Sequence, residues 1–250
     1  MSPRHLIPAL LAGLFFSQIH AFDLGGMVKA GSKAVQAATL SDADVKSLSD
    51  QACAQSDGES KIAPAKDKYA KRLEKIAKGL GSEINGQAIN YKVYLTSEVN
   101  AWAMANGCVR VYSGLMDLMT DDEVAGVIGH EIGHVALGHT KKAMQTAYAV
   151  SAARDAASSS GTRAATLADS QLGEFTESLI NAQFSQSQET DADNYSFDLL
   201  TQRKLKREGL VTAFQKLAQL DGGDHSMLSS HPASADRAKN IEQRLAAEKK

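Results

Sequence analysis

Residues 120–138 read TDDEVAGVIGHEIGHVALG, and this stretch decides how the chain folds. Thr120 with Glu123 three positions on is a capping box, the two side chains satisfying free N–H groups at a helix start. Val124, Val127, Ile128, Ile132 and Val135 follow at helical spacing. Four residues of helix bring a side chain back to within about 40° of its start. His130 and His134 therefore leave one face, one turn apart, as two corners of a tetrahedral zinc site need. Glu131 sits beside them, placed as general base for an attacking water. Gly126, Gly129, Gly133 and Gly138 lie in the same stretch, and each costs up to about 1 kcal/mol of helix stability relative to Ala. Close approach of another element or of substrate would offset that cost. His139, nine residues from His130, should fall about 180° around the helix and face away. The competing reading of the pair is two surface or satisfied core histidines, so a third ligand decides between them.

A zinc site that does chemistry needs three protein ligands and an open position. Thr140 and Leu137 stand where a third His and a Gly would be in the arrangement with its third His ten residues after the first. Glu189-Thr190-Asp191-Ala192-Asp193 is the better source. Glu189 and Asp193 share a helix face by their spacing, while Asp191 points elsewhere. Glu189 can ligate the metal, and Asp193 can accept a hydrogen bond from a ligand His and fix its tautomer. By itself the same stretch also reads as a solvated acidic helix surface. With the His pair upstream, the ligand reading takes precedence.

Around this centre the chain reads as α+β, mostly helical, with one small sheet. Ser41 is a helix N-cap ahead of Asp42 and Asp44, with an exit at Gly58, inside a helical N-terminal arm over 22–63. A second helix begins from Pro64 and ends at Gly79–Gly81. Ile89, Tyr91, Val93 and Leu95 alternate with polar residues, which predicts a half-buried strand over 88–96. Ala101–Met104 and Cys108–Tyr112 flank Asn106-Gly107, a strong hairpin signal. Residues 149–172, rich in Ala, Ser and Thr, read either as weak helix or as a mobile loop that could form a lid. One helix is predicted from about Phe175 to Lys206, a short one near 210–220, and a last one from about 233. The metal helix and all these later elements fall in one domain over 64–250.

The 250 residues carry 27 Lys and Arg against 29 Asp and Glu, a net charge of −2, which excludes a broad basic surface for nucleic acid. With 43% hydrophobic residues the chain is not mainly disordered. Arg4 and His5, the apolar run Leu6–Phe16 and Ile19-His20-Ala21 read as a signal peptide over 1–21, and no later stretch is long and apolar enough to span a membrane. Export makes a disulfide between Cys53 and Cys108, the two cysteines, the expected state, with two buried thiols as the alternative. Closing that loop would contribute about 4 kcal/mol in the chain-entropy account. No cysteine lies near the cleavage point, so lipid anchoring is not expected.

Taken together, His130-Glu131-x-x-His134, Glu189-x-x-x-Asp193 and Ser230-His231-Pro232 with Arg237 resemble the zinc-peptidase family that includes HtpX and the CAAX prenyl endoprotease. The exported arrangement, and the stretch Asn90–Met119 above all, resembles its periplasmic branch, the LoiP- and BepA-type proteases. The similarity runs from about residue 65 onward. It implies a zincin-like fold of the gluzincin type, with one zinc per chain held by His130, His134 and Glu189. It implies further that Glu131, Asp193 and His231 take part in catalysis. Asp193 would partner a ligand, and in some descriptions donates a proton. His231 would either stabilise an oxyanion or occupy the open metal position at rest. Arg237 would hold the local acidic groups, and Asn100, Ala101, Trp102 and Ala103 would form the edge strand that pairs with substrate. Read without the resemblance, His231 is a helix-start residue and Trp102 a hairpin-packing one. The implied activity is hydrolysis of peptide bonds in unfolded or misassembled envelope proteins, with peripheral association to outer-membrane assembly or protease partners. The competing reading is a chaperone-like binder of unfolded exported chains.

Overall fold

In the computed structural model, residues 40–156, 169–220, 227–231 and 234–248 are described. The segment 1–21 expected to be a signal peptide, residues 22–39 of the expected arm and 157–168 of the Ala/Ser-rich tract lie outside them. Ser41 caps α1 (Asp42–Glu59) in a reciprocal box with Asp44, and the helix runs one residue past Gly58. Asp67 caps α2 (Lys68–Leu80), which buries Leu73, Ile76 and Leu80 and stops at Gly81.

The sheet is small and asymmetric. A two-residue hairpin, β1 (Glu83–Ile84) with β2 (Gln87–Ala88), turns at Asn85-Gly86 and was not anticipated from the alternation. Its Asn-Gly pair is nonetheless the same turn signal as Asn106-Gly107. The strand expected over 88–96 is β3 (Asn90–Tyr94), and the second hairpin is β4 (Ala101–Ala103) with β5 (Cys108–Tyr112). Their order is β3-β5-β4, with β3 parallel and β4 antiparallel to the central β5, which leaves β4 at an edge.

The half-buried expectation holds over Asn90–Lys92 and fails at the end of β3. Val93 and Tyr94 are neighbours pointing to opposite faces, and both are buried. The second face is covered by α1, whose Val45, Leu48 and Ala52 meet Tyr94, Trp102, Met104 and Phe175. The disulfide Cys53–Cys108 ties α1 to the start of β5. Beside it, Arg110 is only 1% exposed and lies against the Asp57 carboxylate through Nε at 2.8 Å and Nη2 at 3.0 Å. Lys92 and the Tyr94 hydroxyl donate to the same carboxylate. Asp57→Asn should therefore cost about 3 kcal/mol, because it strands a buried guanidinium, read as a lower urea midpoint at unchanged slope.

The same pair has an acid signature. Burial raises the Asp57 pKa, but hydrogen bonds from Arg110, Lys92 and Tyr94 overcome it and hold the group at about 2. A depressed carboxylate contributes stability above its unfolded value and loses it as pH falls through the folded one. The stability advantage of the parent over Asp57→Asn should stay level from pH 8 to 5 and shrink between about pH 4 and 2.

On the other face of the sheet, α3 (Ser113–Leu118) leads into α4 (Asp121–Ala136), capped by Thr120 and Glu123 as expected and buried continuously from Glu123 to His134. The tract read as weak helix or loop is helical in its described parts, which are the end of α5 (His139–Ala156) and the start of α6 (Asp169–Ile180). Met144 and Phe175 pack these two helices into the layer under α1. The single helix expected over 175–206 is broken. Residues 181–185 leave helical geometry, and Ser185 starts α7 (Gln186–Gln202) in a capping box with Gln188. That box is legible as S-x-x-Q, but apolar residues on both sides of it carry a helical rhythm that masks the stop. α8 (Glu208–Leu217), the single turn α9 (Met227–Ser230) and α10 (Ser234–Ala247) complete the described chain.

The α4 glycines admit α7. A Cβ on Gly133 would stand 3.0 Å from the Ala192 carbonyl oxygen, and one on Gly129 2.6 Å from Ser196 Oγ. Close approach of a second helix thus offsets their helix-propensity cost and brings Glu189 against the His pair. Among the described residues no helix is long and apolar enough to cross a membrane.

Candidate metal centre

His130 and His134 leave the face of α4 that meets α7, and α7 answers with Glu189 in its first turn and Asp193 one turn later. His231 comes from the residue after α9. His130 Nε2 lies 3.0 Å from His134 Nε2 and 3.2 Å from His231 Nδ1, while Glu189 Oε1 is 2.9 Å from His231 Nδ1 and 3.3 Å from His134 Nε2. One donor atom from each of the four lies within 4.8 Å of the others, and all four residues are buried. Lone pairs so crowded repel one another unless positive charge lies between them.

Electrostatics suit a cation. Burial drives His130 well below its ordinary pKa and His134 down to about 4, which leaves both neutral at pH 7, the ligating form. Burial alone would raise Glu189, but hydrogen bonds with His134 and His231 overcome it and keep the carboxylate ionised. Neutral imidazoles with one carboxylate form a nitrogen–oxygen donor set that fits a divalent metal of zinc's type.

Outer partners orient the clustered side chains. Asp193 Oδ1 is 2.8 Å from His130 Nδ1, which leaves Nε2 of that ring for the cluster. Arg237, buried on α10, donates to Asp193 through Nε at 2.8 Å and Nη2 at 2.6 Å. Its Nη1 lies 2.6 Å from Glu189 Oε2. One guanidinium thus holds both acidic groups expected to matter. Asp191 is exposed, as its position on the helix implies.

His139 does not face away. Gly138 takes φ +76° and ends the α4 geometry, so the rotation counted from His130 no longer applies. Instead His139 Nδ1 lies 3.1 Å from His134 Nδ1. It stands to His134 as Asp193 stands to His130, against the nitrogen that does not face the cluster. His139→Ala should weaken zinc binding by about 10- to 100-fold, with partial recovery in His139→Gln, measured by chelator competition. Phe184, inside the single helix expected over 175–206, lies in the 181–185 break with its ring 3.9 Å from that of His134. Neither contact has a local signal in the sequence beyond Gly138 and the Ser185 cap.

Glu131 is buried beside the cluster. Among the described residues its Oε1 has no hydrogen-bond partner, and it sits 3.5 Å from His231 Nε2. Burial pushes its carboxyl up to about 7, a value suited to taking and returning a proton near neutrality.

At the sheet edge, Tyr112 N–H donates to the Asn100 carbonyl and Met104 N–H to that of Cys108. Ladder alternation then turns the backbone groups of Trp102 toward β5 and those of Ala101 and Ala103 outward. The Asn100 side chain accepts from Ala101 N–H at 2.8 Å. The Trp102 indole packs under α1, edge-on to Tyr94 at 6.0 Å, so its side chain is a packing element and only its backbone belongs to the edge.

A family model described as Peptidase family M48 matches residues 67–245. The chain is 54% identical over 249 residues to Metalloprotease LoiP of Escherichia coli strain K12, covering 99% of each. It is 53% identical over 242 residues to Metalloprotease YcaL of the same strain, covering 96% of this chain and 94% of that one. Mitochondrial metalloendopeptidase OMA1 of Arabidopsis thaliana is 27% identical over 190 residues, 69% of this chain and 35% of its own.

Proposed function

Since the chain belongs to peptidase family M48, we propose that it is an exported zinc endopeptidase acting on unfolded or misassembled envelope proteins. The observation that carries this reading is the convergence of His130, His134, Glu189 and His231 with Glu131 at their side. His130, His134 and Glu189 would hold the ion. When bound, zinc supplies Lewis acidity, polarising a scissile carbonyl and making water a nucleophile near neutral pH. Glu131 takes the proton of that water and returns it to the leaving amine. Asp193 and Arg237 act through the ligands they orient. An extended chain pairs with the outward groups of Ala103 and the carbonyl of Ala101, whose N–H is held by Asn100, which favours unfolded substrates because folded ones have no free strand to offer.

Of the two roles for His231, a resting fourth donor has the more support, since its Nδ1 already stands among the other donor atoms. His231→Ala should then raise basal cleavage of a short peptide several-fold. A role confined to oxyanion stabilisation would instead lower it by about 10²-fold. Export rests on the segment 1–21, and a periplasmic location is checked by fractionating cells that express the full chain. Metal analysis with cleavage-site mapping on an unfolded exported protein tests the whole reading. A chaperone-like binder would suppress aggregation equally well with chelator present and would yield no metal-dependent products.

A further inference from the structure

A cavity of about 390 Å³ lies between the C-terminal end of α1, α6 and the entry into β4. Glu59 of α1, Glu98 before β4 and Glu177 of α6 line it, and all three are exposed. Among the described residues around it none is Lys, Arg or His, so three separate elements bring negative charge and none brings positive. Its wall also holds Thr176, 4% exposed, whose Oγ1 has no hydrogen-bond partner among the described residues. An unpaired buried hydroxyl is costly, and a donor entering the cavity relieves it.

The cavity is set against the strand that a substrate would extend. Tyr112 N–H donates to the Asn100 carbonyl, and both residues stand in the cavity wall. Tyr112 packs with Trp102 on the face of the sheet covered by α1, whereas Ala101 packs with the α4 residues on the opposite face. Residues directly opposite each other on paired strands send their side chains to one face. A chain laid on β4 therefore presents its residue opposite Asn100 to this cavity and its residue opposite Ala101 to the side of His130 and His134. The same end of β4 is fastened near the cluster, since Met227 N–H, one turn before His231, donates to the Val99 carbonyl.

We propose that this cavity binds a Lys or Arg side chain of the substrate, a few residues from the scissile bond on the α1 face of the paired chain. The proposal rests on the peptidase reading above and assigns that site a further requirement, for positive charge. A bare metal ion does not suit the three carboxylates: among the described residues, donor atoms converge closely enough for one only at His130, His134, Glu189 and His231. An ammonium or guanidinium on an alkyl stem spans a wider set, and its several N–H groups serve both the carboxylates and the Thr176 hydroxyl. Glu59, Glu98 and Glu177 are then specificity-determining residues at a distance from the reacting atoms.

The test uses zinc-loaded full-length protein and internally quenched peptides with an unchanged scissile pair, in which each flanking position in turn is Lys, Ala or Glu. At one position the parent should favour Lys over Glu by about 10-fold or more in kcat/KM, mostly through KM. Added salt should shrink that ratio, because exposed carboxylates are screened. Glu98→Lys and Glu177→Lys should each bring it near one. Both residues lie at the surface, so either variant keeps the test valid if the other does not fold. Glu208→Lys, an equal change of net charge on α8, should leave the ratio as it is. Agmatine, a free guanidinium on an alkyl stem, should not alter cleavage of the Ala peptide; a change that Glu177→Lys removes assigns the cavity to a free amine and overturns the substrate reading. Binding of the same peptides to Glu131→Gln, followed by fluorescence anisotropy, should rank them in the same order. A parent that cleaves without a Lys preference at any position, or with one that Glu208→Lys moves as far as Glu177→Lys does, overturns the cavity assignment and leaves the peptidase reading standing. A parent that cleaves nothing, while the Glu131→Gln protein binds Lys peptides best and Glu177→Lys removes this, overturns the peptidase reading and supports the cavity.

Discussion

Glu131→Gln is expected to lower kcat on an unfolded exported protein by about 10³-fold, within the range a positioned general base contributes. Zinc content and melting temperature should stay near those of the parent. The structure explains why this separation is clean. Glu131 Oε1 has no hydrogen-bond partner among the described residues, so the isosteric amide breaks no network there. Its side chain leaves α4 beside His130 and His134 without being one of the four clustered donors. Steady-state rates, metal content and thermal melts on one preparation decide the matter. Wild-type turnover in this variant would remove Glu131 from the mechanism.

Glu189→Ala should have the larger effect on the metal, weakening zinc binding by more than about 10³-fold and abolishing cleavage with it. Glu189 is the anionic member of the donor set, and it is held ionised against burial by His134 and His231. Without it, two neutral imidazoles and His231 face a dication with no neutralising charge, and Arg237 loses the nearer of its contacts to the ligand shell. Chelator competition reads the affinity directly. An independent readout is the rise in melting temperature on adding zinc, which mass action ties to the dissociation constant and which should vanish in the variant. Asp191→Ala is the control, since Asp191 is exposed on the same helix. Zinc affinity within tenfold of the parent in Glu189→Ala would falsify the ligand assignment.

Some misreadings share one cause, which is periodicity carried across a break. Counting 100° per residue from His130 places His139 on the far side, and the count fails because Gly138 turns the chain at φ +76°. Counting through Phe184 places it on a helix face, and the count fails because Ser185 starts a new helix. Both breaks carry local signals, a glycine and a capping box, weaker than the apolar rhythm around them. The half-buried β3 has a different cause. Tyr94 looks solvent-facing by alternation until α1 and its disulfide cover that side of the sheet.

By itself the amino-acid sequence determined the metal helix, its cap, the facing pair His130 and His134, the Glu189/Asp193 face and the β4–β5 hairpin. Each of these depends on interactions within a few residues, where helical pitch, strand alternation and turn preference act without knowledge of the rest of the chain. Only the tertiary structure decided that His231, 42 residues beyond Glu189 and 101 beyond His130, brings a fourth donor to the same point. It also decided that Arg237 clamps Glu189 and Asp193, that His139 turns back to His134, and that α1 closes over the sheet. These depend on how closely helices approach, and that distance is set where side chains are missing, at Gly129 and Gly133, so that α7 can lay its carboxylates against the imidazoles of α4.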